Sequence, residues 1–224
     1  MRTLFVAVSA SIGLNLAAAE KPIPVADEPM HRTVFENEIV RVIDVQIPPG
    51  AASLYHTHVI PSVIVYLTQS TNRSESWPDG AILTREISPG QSRYAAYDEN
   101  PLSHRVTNTG RSWFRVFDIE LLKKPAAYAV LSPVQRLTPQ WTERLVRSSN
   151  LTLTAGAKIQ LPATSCAWLI VTIEGSMQLA PIGTSPPATR AISQFGFLYV
   201  PPQTRFEITA DANDGVEAVV LEIR

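Results

Sequence analysis

Apolar and polar positions alternate with a period of two through much of the chain, in runs too short for helices. Val34 to Ile47 alternates over its second half, Val40-Arg41-Val42-Ile43-Asp44-Val45-Gln46-Ile47, and Phe114-Arg115-Val116-Phe117-Asp118-Ile119-Glu120-Leu121 does so again. That period is the mark of a strand with one face buried. Between these two runs lie a β-branched stretch around Val63-Ile64-Val65 and short strand-like segments at Ile82 to Ile87 and Arg93 to Tyr97. Pro48-Pro49-Gly50, Asn72-Arg73-Ser74, Trp77-Pro78-Asp79-Gly80 and Ser88-Pro89-Gly90 punctuate them as turns. Short strands so closely spaced predict a sandwich or barrel over residues 33–122.

Residues 123–149 differ in character and predict a linker. Lys123-Lys124-Pro125 opens it, and Thr138 to Val146 predicts a short helix with Thr138 as N-cap and Pro139 as first helical residue. Beyond it, residues 150–224 read as a faded copy of the first unit. Gly156 to Ser176 aligns without a gap on Gly50 to Ser70 at an offset of 106, with Leu169-Ile170-Val171 matching Val63-Ile64-Val65. Val216 to Ile223 supplies a closing strand. Repetition at this scale predicts two tandem units.

Two of the four histidines, His56 and His58, follow the Pro-Pro-Gly turn and stand two apart. On a strand such positions share a face. Their imidazoles can then converge on one metal ion, with Thr57 pointing the other way. His104-Arg-Val-Thr-Asn108 ends another strand-like segment some forty residues later and offers a third imidazole. The plain alternative is three satisfied core or rim histidines. His31 falls in a Pro-rich stretch, 20–32, expected to be an irregular surface arm, and is expected to be solvated. Asn108, just before Thr109-Gly110, is expected to serve the turn and not to act as a ligand.

The pattern Gly50-x5-His56-x-His58, followed by His104-x3-Asn108, resembles the two motifs of the cupin family. The resemblance implies an all-β chain of two tandem cupin-type antiparallel β-barrels (jelly rolls), joined by the linker with its short helix. It also implies a divalent transition metal (Fe, Mn, Ni, Zn or Cu) held by His56, His58 and His104 at the mouth of the first barrel, and dimerisation through exposed strand edges. The second barrel replaces His56 and His58 with Pro162 and Thr164, places Phe206 where the second motif has its histidine, and contains no histidine at all. Trp168 and Phe206 are expected to fill its mouth. One departure stands in the first barrel: the family's metal-binding Glu belongs at position 62 or 63, occupied here by Ser62 and Val63. The N-terminal half also resembles small bacterial cupins that carry Ser at this position.

Three imidazoles leave one position open in tetrahedral geometry and three in octahedral geometry. Loss of the carboxylate makes the site more positive, which favours anionic or bidentate oxygen ligands. Ser62 is a poor ligand that could orient a metal-bound water. Tyr66, Tyr94, Arg41, Arg93 and Glu120 are pocket candidates, each of which could instead stand on a solvated strand face; Tyr55 is expected to point outward.

Composition narrows the setting. Residues 1–19 read as a signal peptide, with Arg2, an apolar stretch from Leu4 to Leu16 and the Ala17-Ala18-Ala19 cleavage site, so a periplasmic or secreted protein is expected. Cleavage takes the 19 basic residues to 18 against 20 acidic ones, a net charge of −2 without charge runs, which argues against nucleic-acid or membrane-surface partners. Cys166 is the sole cysteine, in an apolar segment that predicts a buried, inert thiol. Three functions remain open: a metal-dependent oxygenase, isomerase or lyase acting on a small oxygen-rich molecule; a small-ligand-binding module without chemistry; and a structural barrel.

Overall fold

The computed structural model describes residues 21–123, 134–183 and 189–224. The signal peptide expected over 1–19 and most of the expected linker opening lie outside them. Ten strands make the first unit: β1 (Ile23–Pro24), β2 (His31–Glu36), β3 (Val40–Ile47), β4 (His56–His58), β5 (Ser62–Tyr66), β6 (Ser70–Ser76), β7 (Ile82–Ile87), β8 (Ser92–Ala95), β9 (Leu102–Asn108) and β10 (Phe114–Leu121). Among the described residues nine make the second: β11 (Leu137–Thr142), β12 (Val146–Leu153), β13 (Lys158–Leu161), β14 (Ala167–Gly175), β15 (Met177–Pro181), β16 (Arg190–Ile192), β17 (Phe197–Val200), β18 (Phe206–Ala210) and β19 (Val216–Ile223).

Each unit folds two sheets over one interior. The first has the orders β1-β4-β9-β6-β7 and β2-β3-β10-β5-β8; the second has β13-β18-β15-β16 and β11-β12-β19-β14-β17. The two five-stranded sheets that face each other across the molecule correspond strand for strand, and β12 is β3 shifted by 106 residues. The chain is all-β and, apart from the short β1–β4 pair, antiparallel, which is the jelly-roll arrangement.

Strand alternation divides the interior. On β10, Phe114 and Val116 turn into the first barrel, while Phe117, Ile119 and Leu121 turn out. The outward set meets Val63, Val65, Leu169, Val171, Val219 and Leu221 in one apolar layer shared by both units. The second barrel is closed by its own side chains: Trp168 and Phe206 are fully buried, with ring centroids 6.2 Å apart. Cys166 is buried there, and burial raises its thiol pKa.

Two expectations are corrected. Leu137–Thr142 is a strand, not the beginning of a helix over 138–146. Pro139 is tolerated because β11 lies at the sheet edge, where a missing N–H costs no ladder bond, and the register slips between Pro139 and Trp141. Cross-unit bonds favour the extended form: the Trp141 indole donates to the Ser92 carbonyl at 2.9 Å and the Gln140 amide to the Gly90 carbonyl at 2.8 Å. Residues 20–32 are likewise no loose arm where the structure describes them. Ile23–Pro24 pairs in parallel with His56–Thr57, Val25–Asp27 makes a 3-10 turn, and His31 opens β2.

Candidate metal centre

Gly50, at φ +77°, turns the chain from β3 toward β4 in a conformation that costs a side-chain-bearing residue energy. Its N–H donates to the Asn108 carbonyl at 2.9 Å. The Asn108 side chain is fully buried and fixes the same corner. Its amide donates to the carbonyls of Ile47 and Ser112, and its Oδ1 accepts from the Ser70 hydroxyl and the Gly110 N–H. The corner thereby sets β4 against β9, with His56 directly opposite His104.

His56, His58 and His104 all turn into the barrel and are buried, and one ring nitrogen from each lies within 4.8 Å of the others. Their remaining nitrogens are engaged in ways that free the inward-facing ones. Nδ1 of His56 donates to the Leu54 carbonyl at 2.9 Å, which leaves Nε2 deprotonated and, within the described residues, without a partner. Nδ1 of His104 is 2.8 Å from the Ser74 hydroxyl. Nδ1 of His58 lies 3.3 Å from the Asp118 carboxylate, at ion-pair distance but without hydrogen-bond alignment. The Nε2 atoms of His58 and His104 approach to 3.2 Å, a separation matching two imidazoles on one ion with bonds of about 2.0–2.1 Å.

Burial, together with the nearby His31 and His58, lowers the His56 pKa to about 3; burial and the neighbouring imidazoles also hold His104 well below its ordinary value. Both rings are therefore neutral at pH 7, with lone pairs available. Burial alone would raise Asp118, but its interaction with His58 keeps the carboxyl below the ordinary value. An orphaned, buried Nε2 amid buried imidazoles braced by a carbonyl, a hydroxyl and a carboxylate is the donor set a divalent transition metal requires.

His31 is not solvated. It is buried in the wall of the same cavity, its ring centroid 4.4 Å from that of His56. Nδ1 is hydrogen-bonded to Glu28, whose buried carboxylate also accepts from the Met30 N–H at 2.7 Å and the Leu54 N–H at 3.0 Å. Burial opposes ionisation of Glu28, yet His31 and these donors hold its pKa below the usual carboxylate range. No motif spacing announces His31; it arrives through β2, which the sequence leaves unpredicted at that point. Asp118 carried a readable signal, since period-two alternation puts it on the inward face with Phe114 and Val116.

The other candidates divide by face. Tyr66 and Arg93 line the cavity, whereas Ser62, Tyr94, Arg41 and Glu120 do not. Ser62 is buried, its hydroxyl donating to the Ile60 carbonyl at 3.1 Å. Glu120 pairs with Arg41 at 2.7 Å, and burial and Asp118 raise its pKa. Tyr94 turns outward toward Trp141 and the shared layer. Tyr55 also points away, its hydroxyl donating to Glu75. The cavity encloses about 260 Å³ between apolar walls that include Val45, Ile64, Val106, Phe114 and Val116.

No family model matches the chain, and no curated relative does. Solved structures do match in fold. AerE from Microcystis aeruginosa superposes with a TM-score of 0.62 at 12% identity, over 88% of this chain and 98% of that one. The oxalate decarboxylase of Lactobacillus farciminis, in a formate complex, gives 0.61 at 10% identity over 87% and 80%. A cupin 2 conserved barrel domain protein from Leptotrichia buccalis gives 0.54 at 10% identity over 98% of both chains. At such identities it is the architecture that is shared, and the chain has the cupin-type jelly-roll fold.

Proposed function

We propose that this chain is an exported, metal-dependent cupin that acts as an oxygenase, isomerase or lyase on a small oxygen-rich molecule. The supporting observation is the convergence of three buried imidazoles, one with a partnerless Nε2, of which those of His58 and His104 line the cavity. His56, His58 and His104 would hold the ion, and Leu54, Asp118 and Ser74 orient them. A bound divalent metal would supply Lewis acidity toward a substrate oxygen. Apolar side chains form part of the cavity wall, and Tyr97, stacked on His58 at 4.7 Å between centroids, restrains that ring. The signal-peptide pattern of residues 1–19 supports export, and the exposed edge strand β7, with Ile82 and Leu83 uncovered, offers a surface for homodimerisation.

A ligand-binding module without turnover is the second reading. It is favoured by Ser62, whose hydroxyl donates to the Ile60 carbonyl and which brings no proton-transfer group in place of the family's Glu. Metal analysis and turnover assays separate the two. On the enzyme reading, His56→Ala and His104→Ala lose the metal, and the wild-type protein turns over a member of a panel of diols, diketones, catechols, flavonols and thiols. Full metal content in both variants would refute metal binding by these residues. Metal loss without turnover of any panel member supports the binding module.

A further inference from the structure

The cavity wall also carries Arg93 on β8, flanked by Tyr66 and Tyr97. The guanidinium donates through Nε to the Tyr66 hydroxyl at 3.1 Å and through Nη2 to the Tyr97 hydroxyl at 3.2 Å. Among the described residues, Arg93 has no carboxylate partner and Nη1 has no hydrogen-bond partner. Each tyrosine oxygen is used as an acceptor, so each phenol retains an O–H that finds no acceptor among the described side chains.

The neighbouring acids are committed elsewhere. Asp118 faces His58, Glu28 holds His31, and Glu120 is paired with Arg41. A second guanidinium without an acidic partner among the described residues, that of Arg85 on exposed β7, stands at the cavity wall. The wall of a small cavity thus gathers a cation and two phenol donors with nothing among the described side chains to receive them. A partly desolvated guanidinium in such a place favours an anion with planar, paired oxygens. Tyr97 sets the reach: its ring stacks on His58 and its hydroxyl touches Arg93, so a molecule of a few carbons spans from the histidines to the guanidinium. A cavity of about 260 Å³ fits that size.

We infer that Arg93, with the hydroxyls of Tyr66 and Tyr97, forms a carboxylate clamp, and that the molecule taken by this cavity is a small carboxylate whose other oxygen is directed at the histidine cluster. This deepens the proposed function by naming the substrate class and rests on that reading only for the second contact. The test is calorimetric titration of the full chain, metal-free and nickel-loaded, with malonate, pyruvate and succinate, each against its neutral amide. The acids are expected to include at least one that binds about tenfold or more tightly than its amide. Arg93→Gln is expected to abolish that difference with metal content unchanged, and Arg93→Lys to restore part of it. Equal binding of acids and amides, no binding of any acid, or wild-type affinity in Arg93→Gln would overturn the clamp. If Arg93→Gln does not fold, the Tyr66→Phe/Tyr97→Phe double variant decides: it keeps the stacked rings, and unchanged acid affinity in it refutes the inference. Failure of the wild-type protein to take up nickel counts against the metal reading alone, because the clamp is then judged from the metal-free titrations.

Discussion

His58 shows how a single side chain is given its orientation. Its ring is held by Tyr97 on one face and by Asp118 near Nδ1, and the inward Nε2 follows from both. Replacing Asp118 with Asn keeps the shape and removes the charge. We expect metal affinity to fall about 10–100-fold with little loss of folding, as measured by competition with a chromophoric chelator. The buried imidazoles also make stability depend on pH. In the unfolded chain they titrate near 6.5; folded, His56 does so at about 3 and His104 well below 6.5. The unfolded state therefore binds more protons in acid, and the stabilisation, complete above pH 6.5, is lost as the pH falls toward those lowered values. The slope is up to about 1.4 kcal/mol per pH unit for each imidazole. Glu120 and Glu222, whose pKa values burial raises, act in the opposite sense, so the informative quantity is a difference. Between pH 7 and 5, urea unfolding of the metal-free protein should weaken more steeply for wild type than for His104→Gln. Equal slopes would show that His104 is not buried neutral.

Among the elements, β2 and β11 occupy the same edge place in the two units, and both escaped the sequence pattern. Strands with a complete inward face, such as β3 and β10, announce themselves by alternation. An edge strand presents so much of itself to water that its period fades: β2 has one buried residue in six, His31. In β11 the Thr-Pro pair imitates a helix start, and only contacts distant in sequence, Gln140 to Gly90 and Trp141 to Ser92, reveal the strand. The same limit hid half of the site's surroundings. His56, His58 and His104 were legible from spacing, whereas His31 reaches them only through tertiary folding of the N-terminal segment. Glu28 anchors that segment. Glu28→Ala would leave the Met30 and Leu54 N–H groups and His31 without their acceptor, and is expected to cost about 2–4 kcal/mol. Faster amide exchange at Met30 and Leu54 would accompany the loss, and unchanged protection there would contradict the anchoring role.

The whole molecule is joined by the apolar layer between its two large sheets, where Phe117 and Leu169 are buried from opposite units. Such a layer couples the units: neither outer face of these sheets is suited to water alone. Phe117→Ala is expected to destabilise the chain by about 3–5 kcal/mol, with intrinsic tryptophan fluorescence, from Trp77 and Trp113 in the first unit and Trp141 and Trp168 in the second, and circular dichroism reporting one coincident transition. Two separated transitions would show units that fold independently. The repeat was readable at this scale from the offset of 106, since duplicated strands keep their apolar spacing even where chemistry has gone. What filled the second cavity is equally plain in retrospect, with Trp168 and Phe206 standing where the first unit has Ser62 and its third motif histidine. The first cavity, by contrast, keeps its histidines free and its volume open. Elemental analysis of the chain purified from its native compartment, beside His56→Ala and His104→Ala prepared in the same way, tests that contrast most directly. The account expects about one divalent transition-metal ion per wild-type chain and near-complete loss in both variants; a metal-free wild-type protein, or variants that retain the ion, would contradict it.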